Sequence, residues 1–219
     1  MKRFILFLLG MGLTVSLSAE LQLPEHTFAV GNWSIQGDRV FQNDENARLA
    51  KVNIRAAQSG SMLYEFNVRY EGGSEDGQGG FGIHIFADSV TNNPSWGNGR
   101  SYLLWLNYDR NPAPNSRIPA GLSGQVYRSY SNSRMELIHS IDLNHFYDLL
   151  TKENLAYPVP IKIWVDGNSG EVRIYDPTDP NWGRYYYFNI DRASLPLRGN
   201  WVVLRTNGIR LSFAPESQQ

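Results

Sequence analysis

Apolar residues recurring at every second position constrain this chain more than any other feature. Met62, Tyr64, Phe66, Val68 and Tyr70 share one face of such a run, while Glu65, Asn67 and Arg69 share the other. Successive side chains of a strand point to opposite faces, so this period marks half-buried β-strands. The pattern returns in Phe81/Ile83/Ile85, Tyr102/Leu104/Leu106/Tyr108, Ile161/Ile163/Val165, Val172/Ile174, Tyr185/Tyr187 and Ile209/Leu211/Phe213. Turn signals separate the runs: Gly72-Gly73, Asn92-Asn93-Pro94, Asn111-Pro112, Asp166-Gly167-Asn168, Asp176-Pro177 and Asn207-Gly208. Asp-Gly and Asn-Gly between alternating segments favour hairpin turns with positive φ, which predicts antiparallel hairpins over 161–175 and 201–213. Only Leu143, Phe146, Tyr147 and Leu150 follow helical spacing, predicting one short helix after Asp142.

About a dozen short strands and one helix predict an all-β fold, an antiparallel β-sandwich or jelly roll. A parallel α/β fold would need a helix after each strand, and those helices are missing. Residues 1–19 read differently: Met1-Lys2-Arg3, an apolar run from Phe4 to Leu17, then Ser18-Ala19. This is the layout of a secretory signal peptide, which leaves 20–219 as a single sandwich domain. A domain of about 200 residues buries roughly 70% of its unfolded surface, so it builds a full core without metals or staples.

Without Lys2 and Arg3 the balance is 18 basic to 21 acidic residues, and no Lys/Arg block occurs. That argues against nucleic acid and against an anionic membrane as partner. No later segment is long enough for a transmembrane span. Cysteine is absent, which removes disulfides, thiolate zinc sites and a thiol nucleophile. Export without disulfides points to a periplasmic or extracellular bacterial location.

A series of landmarks adds a family resemblance. Gly31-Asn32-Trp33-Ser34-Ile35-Gln36-Gly37 precedes Tyr64-Glu65-Phe66-Asn67-Val68-Arg69-Tyr70. A Gly-rich turn leads into Gly80-Phe81-Gly82-Ile83, and Ser101-Tyr102-Leu103-Leu104-Trp105-Leu106 follows. Ile161-Lys162-Ile163-Trp164-Val165-Asp166-Gly167 comes next, and Gly199-Asn200-Trp201-Val202-Val203-Leu204 and Gly208-Ile209-Arg210-Leu211-Ser212-Phe213 close the series. This order resembles that of concanavalin A-like sandwiches of the laminin-G and glucan-binding type. The resemblance implies a sandwich fold that hosts lectins, glycosidases and structural modules alike.

Glycoside hydrolysis needs two carboxyl groups across one sugar, and the Glu-x-Asp-x-x-Glu run common in glycosidases of this fold is missing. Glu65 and Glu171 each lack a second acid at two-residue spacing. The string Gly77-Gln78-Gly79-Gly80-Phe81-Gly82 matches a dinucleotide fingerprint, but it leads into a strand where that motif requires a helix. His26, His84, His139 and His145 show no metal spacing, and no nucleophile elbow occurs. The sequence therefore assigns no catalytic residue and no cofactor. Calcium stays possible, because its oxygen ligands can be scattered among loop acids such as Asp88, Asp109, Asp176 and Asp179.

The aromatic content, six Trp, twelve Tyr and ten Phe, is the informative excess. Trp33 and Trp201 are expected in the core. Phasing sends Trp105 and Trp164 outward, with His84, Asn107, Lys162, Glu65 and Arg69 on the same polar-aromatic sheet face. Such a face suits a sugar, whose C–H surface stacks on rings while polar groups bond its hydroxyls; equally, it suits cover by a loop or a protein. Trp96 and Trp182 stand in the echoing loops Pro94-Ser95-Trp96-Gly97 and Pro180-Asn181-Trp182-Gly183, where they either bind ligand or plug the ends of the sandwich. Arg outnumbers Lys 16 to 4, a bias toward ordered planar contacts. The expected function is a non-catalytic carbohydrate-binding module of the bacterial cell envelope. The alternatives are a filament or flagellar-sheath subunit with a protein partner and, third, a glycoside hydrolase.

Overall fold

The computed structural model describes Phe4–Ile5 and residues 23–74, 77–144, 157–190 and 192–215. Its strands, in chain order, are β1 (Phe4–Ile5), β2 (His26–Val30), β3 (Trp33–Gln36), β4 (Arg39–Gln42), β5 (Ala50–Ser59), β6 (Ser61–Gly73), β7 (Gln78–Ala87) and β8 (Ser101–Asp109). They continue as β9 (Gly121–Ser131), β10 (Arg134–Asp142), β11 (Val159–Asp166), β12 (Glu171–Tyr175), β13 (Tyr185–Asn189), β14 (Arg198–Asn207) and β15 (Ile209–Ala214). Sheet A runs β13-β12-β11-β6-β15-β4-β3, and sheet B runs β10-β9-β8-β7-β14-β5-β2. All these pairings are antiparallel. The two-residue β1 lies parallel to Tyr64 and Glu65 of β6, beyond the point where β15 stops pairing at Asn67. The helix predicted after Asp142 lies outside the described residues, apart from the buried Leu143 at its start.

The inward phase follows the alternation. Met62, Tyr64, Phe66 and Val68 of sheet A face Phe81, Ile83, Ile85, Val202 and Leu204 of sheet B, and all are at most 4% exposed. Trp33 joins this core, its indole nitrogen donating to Val30 O at 2.8 Å. Trp201 does not. Val202 and Leu204 point inward, which turns Trp201 to the outer face of sheet B, where the Arg55 guanidinium lies 5.2 Å from its ring. Tyr185 and Tyr187 also face out, and their neighbours Tyr186 and Phe188 pack inward.

The hairpin over 161–175 forms as β11 and β12, with Ile163 opposite Ile174. The one expected over 201–213 does not. β14 belongs to sheet B and β15 to sheet A, so Asn207-Gly208 is a corner that carries the chain between sheets. Gly208, at φ +62°, takes the left-handed conformation there, and its N–H donates to Ala47 O at 2.9 Å. Turn chemistry specifies a tight reversal but not whether the next strand pairs with its predecessor. Gly72-Gly73 behaves alike: β6 ends in sheet A and β7 begins in sheet B, so the Gly-rich segment is a second corner.

Candidate functional site

The expected single polar-aromatic face is two faces, on opposite sides of the molecule. His84, Trp105 and Asn107 stand on β7 and β8 and project from sheet B, while Glu65, Arg69, Lys162 and Trp164 stand on β6 and β11 and project from sheet A. Period two tells inside from outside, but each sandwich has two outsides.

On sheet A the outward side chains interleave rings with cations. The Arg173 guanidinium lies 4.8 Å from the Trp164 ring and 4.9 Å from Tyr185. Lys162 lies 5.1 Å from Trp182 and 5.5 Å from Tyr175, and its Nζ pairs with Glu65 at 3.3 Å. Glu171 is taken by Arg173. Arg69 pairs with Glu71 at 2.7 Å, beside Arg39, which donates to Asn67 Oδ1 and to Ser212 Oγ and O. Trp182 adopts φ +54°, an uncommon conformation for a bulky residue, and folds onto this face instead of plugging an end.

On sheet B the register lines up Lys51, Arg205, Gly82, Trp105 and Gln125 across five strands. The glycines let the row lie flat. A Cβ on Gly80 would stand 2.6 Å from the Trp105 ring, and one on Gly82 would stand 2.9 Å from Trp105 Cα. Of the dinucleotide-like string, Gly80 thus makes room for the Trp105 ring, and Gly82 for the backbone of β8. The Arg205 guanidinium sits between two indoles, 5.0 Å from Trp96 and 5.4 Å from Trp105. Trp105 Nε1 donates to Asn107 Oδ1 at 3.0 Å.

The loop over residues 88–100 covers this row and is tied down by it. Arg205 Nη1 donates to Trp96 O at 2.7 Å, and Lys51 Nζ donates to Ser95 Oγ and Asn98 Oδ1, both at 3.1 Å. Asn53 Nδ2 adds a bond to Asn92 Oδ1 at 3.1 Å. Lys51 and His84 are fully buried, and Arg205 nearly so. Burial and then the neighbouring Arg205 pull the Lys51 ammonium down to about 8. Burial lowers Arg205 to about 10. His84, buried beside both cations, is held well below its ordinary value and stays neutral. The Pro-x-Trp-Gly echo thus has a physical counterpart, since each loop lays its indole over a basic residue of the sheet beneath.

Trp96 itself is 62% exposed. It forms one wall of an open cleft of about 680 Å³. The other walls are Glu45, Asn46 and Arg48 after β4, the β6–β7 corner with Gly73, Ser74, Gln78 and Gly79, and the Asn207-Gly208 corner. Of these only Trp96 was a binding candidate from the sequence; Gly73, Gln78, Gly79, Asn207 and Gly208 entered there as turn or loop residues. Lys51 and Arg205 were missed as well; the alternation around Val52/Ile54 and Val202/Leu204 places them outward, but nothing local shows a loop closing over them.

The four loop acids named as calcium candidates are each engaged by other groups. Asp88 is bonded by the Arg100 backbone and side chain. Asp176 and Asp179 share one turn, yet Arg184 occupies it, with Nη2 3.2 Å from Asp176 and its N–H bonded to Asp179 at 2.8 Å. Asp109 caps its own turn at Asn111. Among the described residues no group of three or more His, Cys, Asp or Glu could hold a metal ion, and no helix is long and apolar enough to cross a membrane.

No protein-family model and no curated protein matches the chain. Solved structures do. A legume lectin-like domain from Entamoeba histolytica superposes with a TM-score of 0.58 at 10% identity, covering 93% of this chain and 96% of that one. The VIP36 exoplasmic/lumenal domain, in a form bound to Ca2+ and Man3GlcNAc, gives 0.53 at 11% identity over 89% and 84%. The Emp47p carbohydrate recognition domain gives 0.52 at 13% identity over 90% and 91%. In fold, the chain is a two-sheet antiparallel β-sandwich similar to that of these lectin-like domains.

Proposed function

We propose that this protein is an exported, non-catalytic carbohydrate-recognition module of the bacterial cell envelope, and that its sugar site is the cleft walled by Trp96. The observation that carries this reading is the large exposed indole on a cleft otherwise lined by Glu, Asn, Arg, Gln and Ser side chains and by three glycines. An aromatic face stacks on a pyranose ring while such polar groups exchange hydrogen bonds with its hydroxyls. The carbohydrate-recognition domains among the fold's neighbours support it, and the signal-like segment at residues 1–19 and the absence of cysteine support the location.

The test is a titration of envelope polysaccharides and their oligosaccharides against the full chain, followed by tryptophan fluorescence. A saturable change that disappears in Trp96→Ala supports the reading; no response to any glycan, or an unchanged response in the variant, defeats it. The other face favours a second reading. Tyr185 and Tyr187 are exposed on the edge strand β13 beside the Trp164–Arg173 stack, which suits a protein partner such as an envelope filament. Cosedimentation with cell-surface filaments, lost in Tyr187→Glu, would support that partner.

A further inference from the structure

We infer that the basic row beneath the Trp96 loop is an oxyanion-binding site, and that the anion it serves is the acid group of a charged sugar. The second part rests on the glycan reading above. Lys51 and Arg205 are cross-strand partners and both are buried, yet among the described residues no acid pairs with either. Two like charges taken out of water without a counter-charge are costly.

Among the described residues, most of the unpartnered atoms around them are nitrogens. Arg205 Nε, Asn98 Nδ2 and His84 Nε2 are all buried without a hydrogen-bond partner. Arg205 Nε and Asn98 Nδ2 are donors. The neutral His84 shares its Nδ1 with Ser101 Oγ at 2.9 Å, and its Nε2 carries a proton whenever Ser101 is the donor in that bond. Asn53 Oδ1 is an unpartnered acceptor among the described residues; it stands two residues from Lys51 on β5 and is separated from His84 by β14, with Val203 between them. A donor-rich seat with net positive charge suits an anion with several lone pairs.

The loop bonds give the route of entry. Ser95 Oγ, Asn98 Oδ1 and Trp96 O are neutral acceptors now satisfying the cations, and an oxyanion replaces neutral acceptors with charged ones, which bond such donors about twice as strongly. Trp96 lies over Arg205 and also walls the open cleft, so the cleft and the row share this one residue.

The experiment compares sodium glucuronate, glucose and sodium sulfate on the full chain, by thermal unfolding and by the imidazole NMR signals of His84. Glucuronate should raise the melting temperature by several degrees and shift His84, and glucose at equal concentration should do neither. Lys51→Met, checked for native circular dichroism, should lose the effect. Glucuronate affinity should also fall about tenfold from pH 7 to pH 9 as Lys51, at about 8, loses its proton. Of the other groups facing it, Arg205 stays charged, Tyr127 is raised by burial and stays protonated, and His84 stays neutral. Equal effects of glucose and glucuronate, or an undiminished effect in Lys51→Met, would overturn the anion site even if Trp96 still binds neutral glycans. Stabilisation by sulfate and glucuronate alike, with no polysaccharide binding, would leave the anion site standing and overturn its tie to a sugar.

Discussion

Removing the Lys51 charge should change how stability depends on pH, and by an amount the structure specifies. In the unfolded chain Lys51 titrates at its ordinary 10.5; in the folded protein it titrates at about 8. The folded pKa is depressed, so between these values the unfolded state binds more protons and stability rises with pH. Below pH 8 folding carries the full cost of a buried ammonium, roughly 3 kcal/mol at 1.36 kcal/mol per pKa unit. Most of that cost should be relieved by pH 10, leaving a gain of about 2.5 kcal/mol over pH 7. Lys51→Met keeps the stem and removes the titration. Urea unfolding of both proteins at half-unit steps from pH 6.5 to 10 gives the difference curve, from which groups common to both cancel. The wild type should gain on the variant throughout the upper half of that range. At pH 7 the variant loses the bonds to Ser95 and Asn98, each worth about 1 kcal/mol, and should be no less stable than the wild type. A flat difference curve, or one sloping the other way, would show that Lys51 is solvated or paired in solution and would refute the uncompensated row.

Four further outcomes follow from other contacts. Gly80→Val pushes a side chain into the Trp105 ring and should cost about 1–3 kcal/mol in urea unfolding, as overpacking does; a neutral result would mean the indole is not pressed on the sheet. Arg39→Ala leaves Asn67 Oδ1 and the Ser212 carbonyl short of a donor and should cost about 1–3 kcal/mol, whereas Arg69→Ala, whose partner Glu71 is partly exposed, should cost less than 1 kcal/mol. Trp164→Ala should leave the glycan titration of Trp96 unchanged, because the two rings lie on opposite sheets; a joint loss would point to a global effect. Calcium at millimolar concentration should leave the melting temperature unmoved, given that Arg184 holds both Asp176 and Asp179, and a rise reversed by chelation would contradict that arrangement.

How far the sequence could be read differs residue by residue. Tyr64, Phe66, Ile83 and Leu211 were placed inside by alternation alone, because the strand period is a local property of the backbone. Trp33 was expected in the core and is there; Trp201 was expected there and is not, since its phase is set by Val202 and Leu204 and ring size misleads. Trp105 and Trp164 were correctly sent outward but wrongly sent together. Lys51 and Arg205 were not singled out, as their burial depends on a loop about forty residues from one and a hundred from the other.

What the sequence by itself determined is the strand content, the inward phase of most strands and the concanavalin A-like order of its landmarks. What only the tertiary structure decided is which sheet each strand enters. The corners at Gly60, after Gly72-Gly73 and at Gly208 pass the chain between sheets, and a corner reads locally as the same glycine-bearing turn as a hairpin. That assignment depends on pairing between distant strands such as β6 with β11 and β5 with β14. It divides one expected face into an aromatic–cationic ladder on sheet A and a buried basic row under Trp96 on sheet B.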